Sequence, residues 1–272
     1  MHTSIDLPLD KAMDIHGDEW SDIVKNCGLN PSLLPGWLAC MATAFGIFDK
    51  IQVFILKNGP VIEGIIPYFI SHTKLSGIPI RKVELAGNIV SYHQELITTE
   101  NHPVLLIKFI EHLDNNHKWD TIAIANMHSD GQTRKAITET CSINKIPHTT
   151  YPGESSPYLR LDKDWKLLLA SKQKKFRYKV NKREKVLLED ESLKVNWYTD
   201  SSNCSQLIED IFRIEEASWK VDEDMAITER PTETEYYKLL IPYLANKGIL
   251  YASVLTKDEK AIAYNLCYLF NS

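Results

Sequence analysis

The sequence predicts an α/β (α+β) protein of two domains, residues 1–155 and 156–272, each with a mixed, largely antiparallel sheet flanked by helices. Three observations carry that expectation. At 272 residues the chain exceeds the usual size of one domain and fits two units of roughly 120–150 residues, each able to bury a core. A hydrophobic fraction of 44%, with 12 Tyr and 6 Trp, supplies apolar surface enough for ordered folding. The order helix, helix, strand, tight turn, strand then occurs twice, a repeat of architecture and not of sequence.

In the first half, Asp18-Glu19-Trp20 opens a short helix and Pro35-Gly36-Trp37 opens a second that runs over Leu38 to Phe48, where proline suits the first turn. Ile51 to Leu56 reads as a strand, Lys57-Asn58-Gly59-Pro60 as a tight turn and Val61 to Ser71 as the hairpin partner. Val83 to Gly87 is a further short strand, followed by a polar loop with Asn88, Ser91, Tyr92, His93 and Gln94. Val104 to Leu113 repeats apolar residues at helical spacing. Trp119 to Ala125 is apolar enough for a strand buried on both faces, and Gln132 to Cys141 returns as a helix.

The second half is expected to begin with a strand at Tyr158 to Leu161 and one long basic helix from about Asp164 to Glu189. A strand over Lys194 to Tyr198 follows, then helices at Ser205 to Trp219, with Ser205 as cap, and at Thr232 to Asn246, ended by Lys247-Gly248. A hairpin of Ile249 to Leu255 and Ala261 to Phe270 comes last. The first half continues with strand, helix, strand, helix where the second does not, so the second unit is read as incomplete. Its final strand would expose an unpaired edge, so either a truncated gene or cover by the first domain is expected.

Charge and cysteine usage exclude several classes. A net charge of −5 gives no global attraction to nucleic acid. Cys27, Cys40, Cys141, Cys204 and Cys267 are scattered and odd in number, which argues against a disulfide framework or zinc knuckle and fits reduced thiols. Met1 to Asp6 has no basic and apolar signal pattern, and no run of 18 apolar residues occurs; a protein of the cytoplasm without a membrane span is expected. His112, His117 and His128 show no metal-ligand spacing with one another or with a cysteine, so no metal is expected. GxSxG, HExxH and P-loop motifs do not occur.

Local sequence narrows the class. Glu19-Trp20, then Asn30-Pro31-Ser32, Pro35-Gly36-Trp37 and Ala44-Phe45 resemble the N-terminal signature of CelD-like proteins. Phe212 to Lys220, Ala226-Ile227, Tyr237, Leu250 to Leu255 and Ile262-Ala263 resemble the same family's E-x-x-W-K … A-I stretch. Together with the element order, this resembles GNAT-superfamily acyltransferases of the CelD/BioF-like, FemAB-related type, with tandem GNAT-like units. A Q/R-x-x-G-x-G/A loop, whose backbone N–H groups would cradle a pyrophosphate, is absent; the first unit has Ala86-Gly87-Asn88 in that place.

The resemblance implies transfer of an acyl group from a thioester, acyl-CoA or an acyl carrier protein, to an amine or hydroxyl of a sugar or cell-envelope precursor. Attack is direct, with no covalent enzyme intermediate and no permanently bound cofactor. Aminoacyl-tRNA as donor is the FemAB-type alternative and the one nucleic-acid partner in view; a non-catalytic binding module is the alternative of another class. Under this resemblance Glu215 and Glu216 would act as bases and Lys220 would stabilise an oxyanion, with Ser218, Trp219, Tyr237, Asn88 and His93 binding substrate. The plain alternative is a helix-terminal lysine, a core Trp and solvated glutamates.

Eight basic residues fall between positions 172 and 185, interleaved with Phe176 and Tyr178. Lys174, Lys175, Arg177 and Arg183 are the candidates for holding a phosphate-bearing donor. The alternative is a solvated face balanced by Glu184, Glu189, Asp190 and Glu191.

Overall fold

The computed structural model describes residues 2–89, 94–99, 102–153, 158–159 and 162–270, with Asn88 and Ile89 by backbone only. The chain divides into two compact units: 1–153 with Glu235–Tyr243 and 270–272, and 154–234 with 244–269. Glu235–Tyr243 thus belongs to the first unit, although sequence order places it in the second half.

The first unit opens with a strand that the sequence reading did not anticipate, β1 (His2–Pro8), paired antiparallel with β2 (Gln52–Asn58) from His2 opposite Asn58 to Pro8 opposite Gln52. Its mostly exposed, polar residues hide the alternation by which a half-buried strand is recognised. Helix α1 (Leu9–Asn26) starts nine residues before the expected Asp18, with Trp20 wholly buried and its indole N–H donating to Leu33 O at 2.9 Å. Helix α2 (Pro35–Ala44) has proline in its first turn, as expected, and ends four residues earlier than read.

β2 turns at Gly59, which has φ +58, into the long β3 (Val61–Leu75). A second tight turn, Ser76-Gly77 with φ of 50 and 85, leads to β4 (Ile78–Leu85), longer than the strand expected at Val83 to Gly87. β5 (Ile97–Thr98) pairs with β3, and β6 (Thr121–Ala123) runs parallel to β4. The sheet order is β1-β2-β3-β4-β6. β6 is only partly buried, against the expectation of burial on both faces, because β4 is its one strand neighbour among the described residues.

Helices α3 (His102–Asn116) and α4 (Gln132–Ile143) complete the unit. Leu105, Phe109 and Leu113, spaced along one face of α3, pack on Phe54, Leu56, Ile66, Tyr68, Val83 and Leu85 of the sheet. Phe109 lies 5.4 Å from Phe54 and meets Tyr68 edge-on at 5.0 Å, centroid to centroid.

In the second unit Tyr158 and Leu159 are exposed and in no strand, while Arg160 and Leu161 lie outside the described residues. The single basic helix expected from Asp164 is two: α5 (Trp165–Ala170), capped by the Asp164 carboxylate on Leu167 N, and α6 (Lys174–Glu189). The break is at Ser171 to Gln173, where Gln173 leaves helical geometry (φ −57, ψ 147).

β7 (Leu193–Tyr198) follows, then α7 (Cys204–Glu216), whose N-cap position is Asn203 and not Ser205. Helix α8 (Pro231–Asn246) and the hairpin β8 (Leu250–Lys257) and β9 (Lys260–Tyr268) end the described elements. The sheet is antiparallel in the order β7-β8-β9. Leu250, Ala252 and Val254 alternate inward and are buried, as are Leu207 and Ile211 of α7. No described helix is long and apolar enough to cross a membrane.

Candidate functional site

The polar cluster of the second unit is built around Glu215, on the last turn of α7. An amphipathic helix buries its apolar stripe, and Glu215 lies one turn beyond Ile211 on that stripe, so its carboxylate enters the interior with 1% of the residue exposed. A carboxylate there needs donors. It receives three: Lys220 Nζ at 2.6 Å and Tyr264 Oη at 2.7 Å, both to Oε1, and Ile227 N at 3.1 Å to Oε2.

Burial pushes the Glu215 carboxyl up, but the hydrogen bonds from Lys220, Tyr264 and Ile227 N–H, with the Lys220 charge, outweigh it and hold the group below its usual value. Glu215 is therefore an ionised, fully engaged carboxylate. That revises the base role which the resemblance implied for it: its geometry positions Lys220 and Tyr264 and leaves it poorly suited to accept a proton from a nucleophile.

The loop carrying Lys220 is pinned along its length. Ser218 Oγ donates to Glu215 O at 2.8 Å, closing the helix end, so Ser218 is engaged in the turn. Met225 N donates to Lys220 O at 2.8 Å, Arg230 Nη2 to Met225 O at 2.9 Å and Thr234 Oγ1 to Ile227 O at 2.8 Å. With its side chain 36% exposed, Lys220 keeps one side toward solvent while Glu215 fixes the other.

Trp219 is 63% exposed, so the core placement considered as its alternative does not hold; its ring is available as an apolar platform. The Glu216 side chain is exposed and makes no hydrogen bond or ion pair among the described residues. Tyr237 falls in the first unit, its ring 5.3 Å from that of Tyr236.

Tyr264 was missed by the sequence reading. The signal was present in the strand period: β9 pairs with β8 so that Tyr264 faces Val254, which is fully buried, and the two side chains share the inner face.

The expected anion-binding residues separate. Arg177 donates Nη1 to Ala170 O at 3.1 Å and to Lys172 O at 2.8 Å, capping the carbonyls at the end of α5. Lys174, Lys175 and Arg183 are exposed on α6, a helix with no buried residue.

In the first unit, Ala86-Gly87-Asn88 belongs to a 3-10 turn, Ala86–Ile89. The Gln94 side chain closes on this turn so tightly that a Cβ on Gly87 would stand 2.2 Å from Gln94 Nε2. The cleft there, between Leu38, Pro67, Leu85 and Gln94, has space of about 10 Å³, room for one water and not for a phosphate. Asn88 is described by backbone only, and Ser91, Tyr92 and His93 lie outside the described residues.

No family profile and no curated protein sequence matches the chain. Among solved structures, FemX matches with a TM-score of 0.53 and 13% identity over 93% of this chain and 57% of FemX. A probable acetyltransferase matches at a TM-score of 0.37 and 10% identity, over 58% of this chain and 99% of its own. Glucosamine-6-phosphate N-acetyltransferase from Arabidopsis thaliana matches at 0.34 and 8%, over 59% and 99%. The chain thus spans a little over half the length of FemX, and the likeness to FemX shows a shared fold, mixed α/β with sheets flanked by helices.

Proposed function

We propose that the chain belongs to an acyltransferase that moves an acyl group from a thioester, acyl-CoA or an acyl carrier protein, to an amine or hydroxyl of a sugar or cell-envelope precursor. The observation that carries this reading is the Glu215–Lys220–Tyr264 cluster, a partly exposed ammonium and a phenol held on a buried carboxylate inside a FemX-like fold. The incoming nitrogen or oxygen forms its bond to the thioester carbonyl carbon, negative charge grows on the carbonyl oxygen, and the thiolate leaves. Lys220 is the cation placed to meet that charge, and Glu215 holds it in orientation. Glu216, next to Glu215 in the chain and exposed, is the carboxylate of the pair left to take the proton. Trp219 supplies a flat apolar surface for a sugar or acyl group.

A CelD/BioF-like subtype fits the short motifs around Trp20 and Trp219. Aminoacyl-tRNA in place of acyl-CoA is the second reading, favoured by the exposed basic residues Lys174, Lys175 and Arg183 of α6.

Calorimetric titration with acetyl-CoA and with charged tRNA separates the two. Saturable acetyl-CoA binding with release of free thiol in the presence of an amino sugar supports the first reading; binding of tRNA alone selects the second. Binding of neither removes both.

A further inference from the structure

We propose that the first unit holds a divalent transition-metal site, best suited to Zn(II), formed by Asp6, His112 and His117. Asp6, on β1, lies more than 100 positions in the sequence from His112, near the end of α3, and His117, just past it. Folding brings one ligand atom of each within 4.8 Å of the others. Asp6 Oδ2 is 3.4 Å from His112 Nε2 and 4.0 Å from His117 Nε2. Four-coordinate zinc with bonds of about 2.0–2.1 Å requires ligand atoms about 3.3–3.4 Å apart, so one edge is already at that length and the others close by small side-chain rotations.

Independent features point the same way. Asp6 Oδ1 is buried and has no hydrogen-bond partner, a costly state for a carboxylate oxygen that a cation would relieve. Among the described residues the ion pairs of Asp6 are with these two imidazoles alone, so no lysine or arginine neutralises it. The Tyr68 hydroxyl donates to Asp6 Oδ2 at 3.1 Å and lies 3.4 and 3.0 Å from His112 and His117 Nε2, a hub that fixes all three side chains.

The His112 ring is held from its far side, where Nδ1 is 3.2 Å from the Asn116 amide, which leaves Nε2 facing the cluster. Ligation through Nε2 requires the ring proton on Nδ1, which the Asn116 side chain can accept only through its oxygen, so metal binding would flip that amide. His112 also borders an open groove of about 230 Å³ with His2, Ser4 and Asn116.

Two imidazole nitrogens and one carboxylate oxygen suit zinc and neighbouring first-row metals. Calcium and magnesium prefer a larger set of oxygens. The site joins the edge strand β1 to the end of α3, so a bound metal would clamp that strand in place.

The test is titration of the untagged, chelator-stripped chain with Zn(II) by calorimetry, and with Co(II) by visible absorption. The expected result is one equivalent bound, with the d–d bands of low-coordinate Co(II) and a higher thermal midpoint in Zn(II). His112→Ala and His117→Gln should each weaken binding at least about 100-fold, more than the loss of an outer-shell partner costs. His72→Ala and His148→Ala, at exposed histidines elsewhere, should leave binding within threefold. Absence of one-to-one binding by the wild-type chain overturns the proposal, as does binding unchanged in His117→Gln, whose partly exposed position at the helix end tolerates substitution.

Discussion

The Lys220 ammonium stands 2.6 Å from Glu215 Oε1, a cation with one side in solvent held on a carboxylate that is almost wholly buried. This relationship separates two roles that adjacent acidic and basic residues leave merged in the sequence. Glu215 orients, and Lys220 is presented.

Removing the carboxylate leaves Lys220, Tyr264 and Ile227 N–H without their shared acceptor. Leaving the buried carboxylate without its counter-charge costs about 3–5 kcal/mol, so Lys220→Ala should lose stability toward that range, while Glu215→Ala, which releases a partly exposed ammonium and leaves neutral donors unpaired, should lose about 1–3 kcal/mol. Urea unfolding followed by circular dichroism measures both. Equal, near-zero losses would show that the cluster does not support the second unit.

The same carboxylate sets a pH dependence. Its folded value is depressed, so its contribution is fully present above the ordinary glutamate value of about 4.3 and is lost as pH falls through the folded value. Stability should decline on the acid side below about pH 4.3, and Glu215→Gln should flatten that limb. An acid limb of unchanged slope in the variant would assign the dependence to other carboxylates.

Gly36, the second residue of α2, admits the Tyr243 ring so closely that an added Cβ would lie 2.2 Å from its Cε2 atom. Alanine is better than glycine in a helix by about 1 kcal/mol. Overpacking against a partly buried aromatic ring opposes it with about 1–3 kcal/mol or more. Gly36→Ala should therefore destabilise the first unit; a stabilised variant would show that the ring moves aside freely.

If α6 holds the phosphates of the donor, charge reversal at its exposed first turn should weaken donor binding about tenfold or more and flatten its salt dependence. Lys174→Glu with Lys175→Glu tests this by calorimetry at two salt concentrations. Arg177 is left in place because it caps α5. Unchanged affinity would remove α6 from the donor site.

The sequence revealed most where periodicity is strong and local. The hairpins of β2 with β3 and β8 with β9, and helices α3, α4 and α8, were legible because apolar spacing and turn residues agree there. β1 was hidden because an exposed edge strand has no apolar face to display. The break between α5 and α6 was hidden because Ser171, Lys172 and Gln173 are not strong helix breakers. Glu215 and Lys220 were found as neighbours in sequence, five positions apart, whereas Tyr264 reaches Glu215 from a strand 49 positions away. The grouping of Asp6 with His112 and His117 depends wholly on the tertiary fold, which no spacing rule detects.

Acyl transfer by the wild-type chain and by Lys220→Ala tests the central claim most directly, with thiol release from acetyl-CoA followed across a panel of amino sugars and the products confirmed by mass. The account predicts acceptor-dependent thiol release by the wild type and a fall in kcat of about 100-fold or more in a folded Lys220→Ala, the scale of losing one oxyanion-stabilising group. Transfer at an unchanged rate in that variant, or no acceptor-dependent release by the wild type, would contradict it.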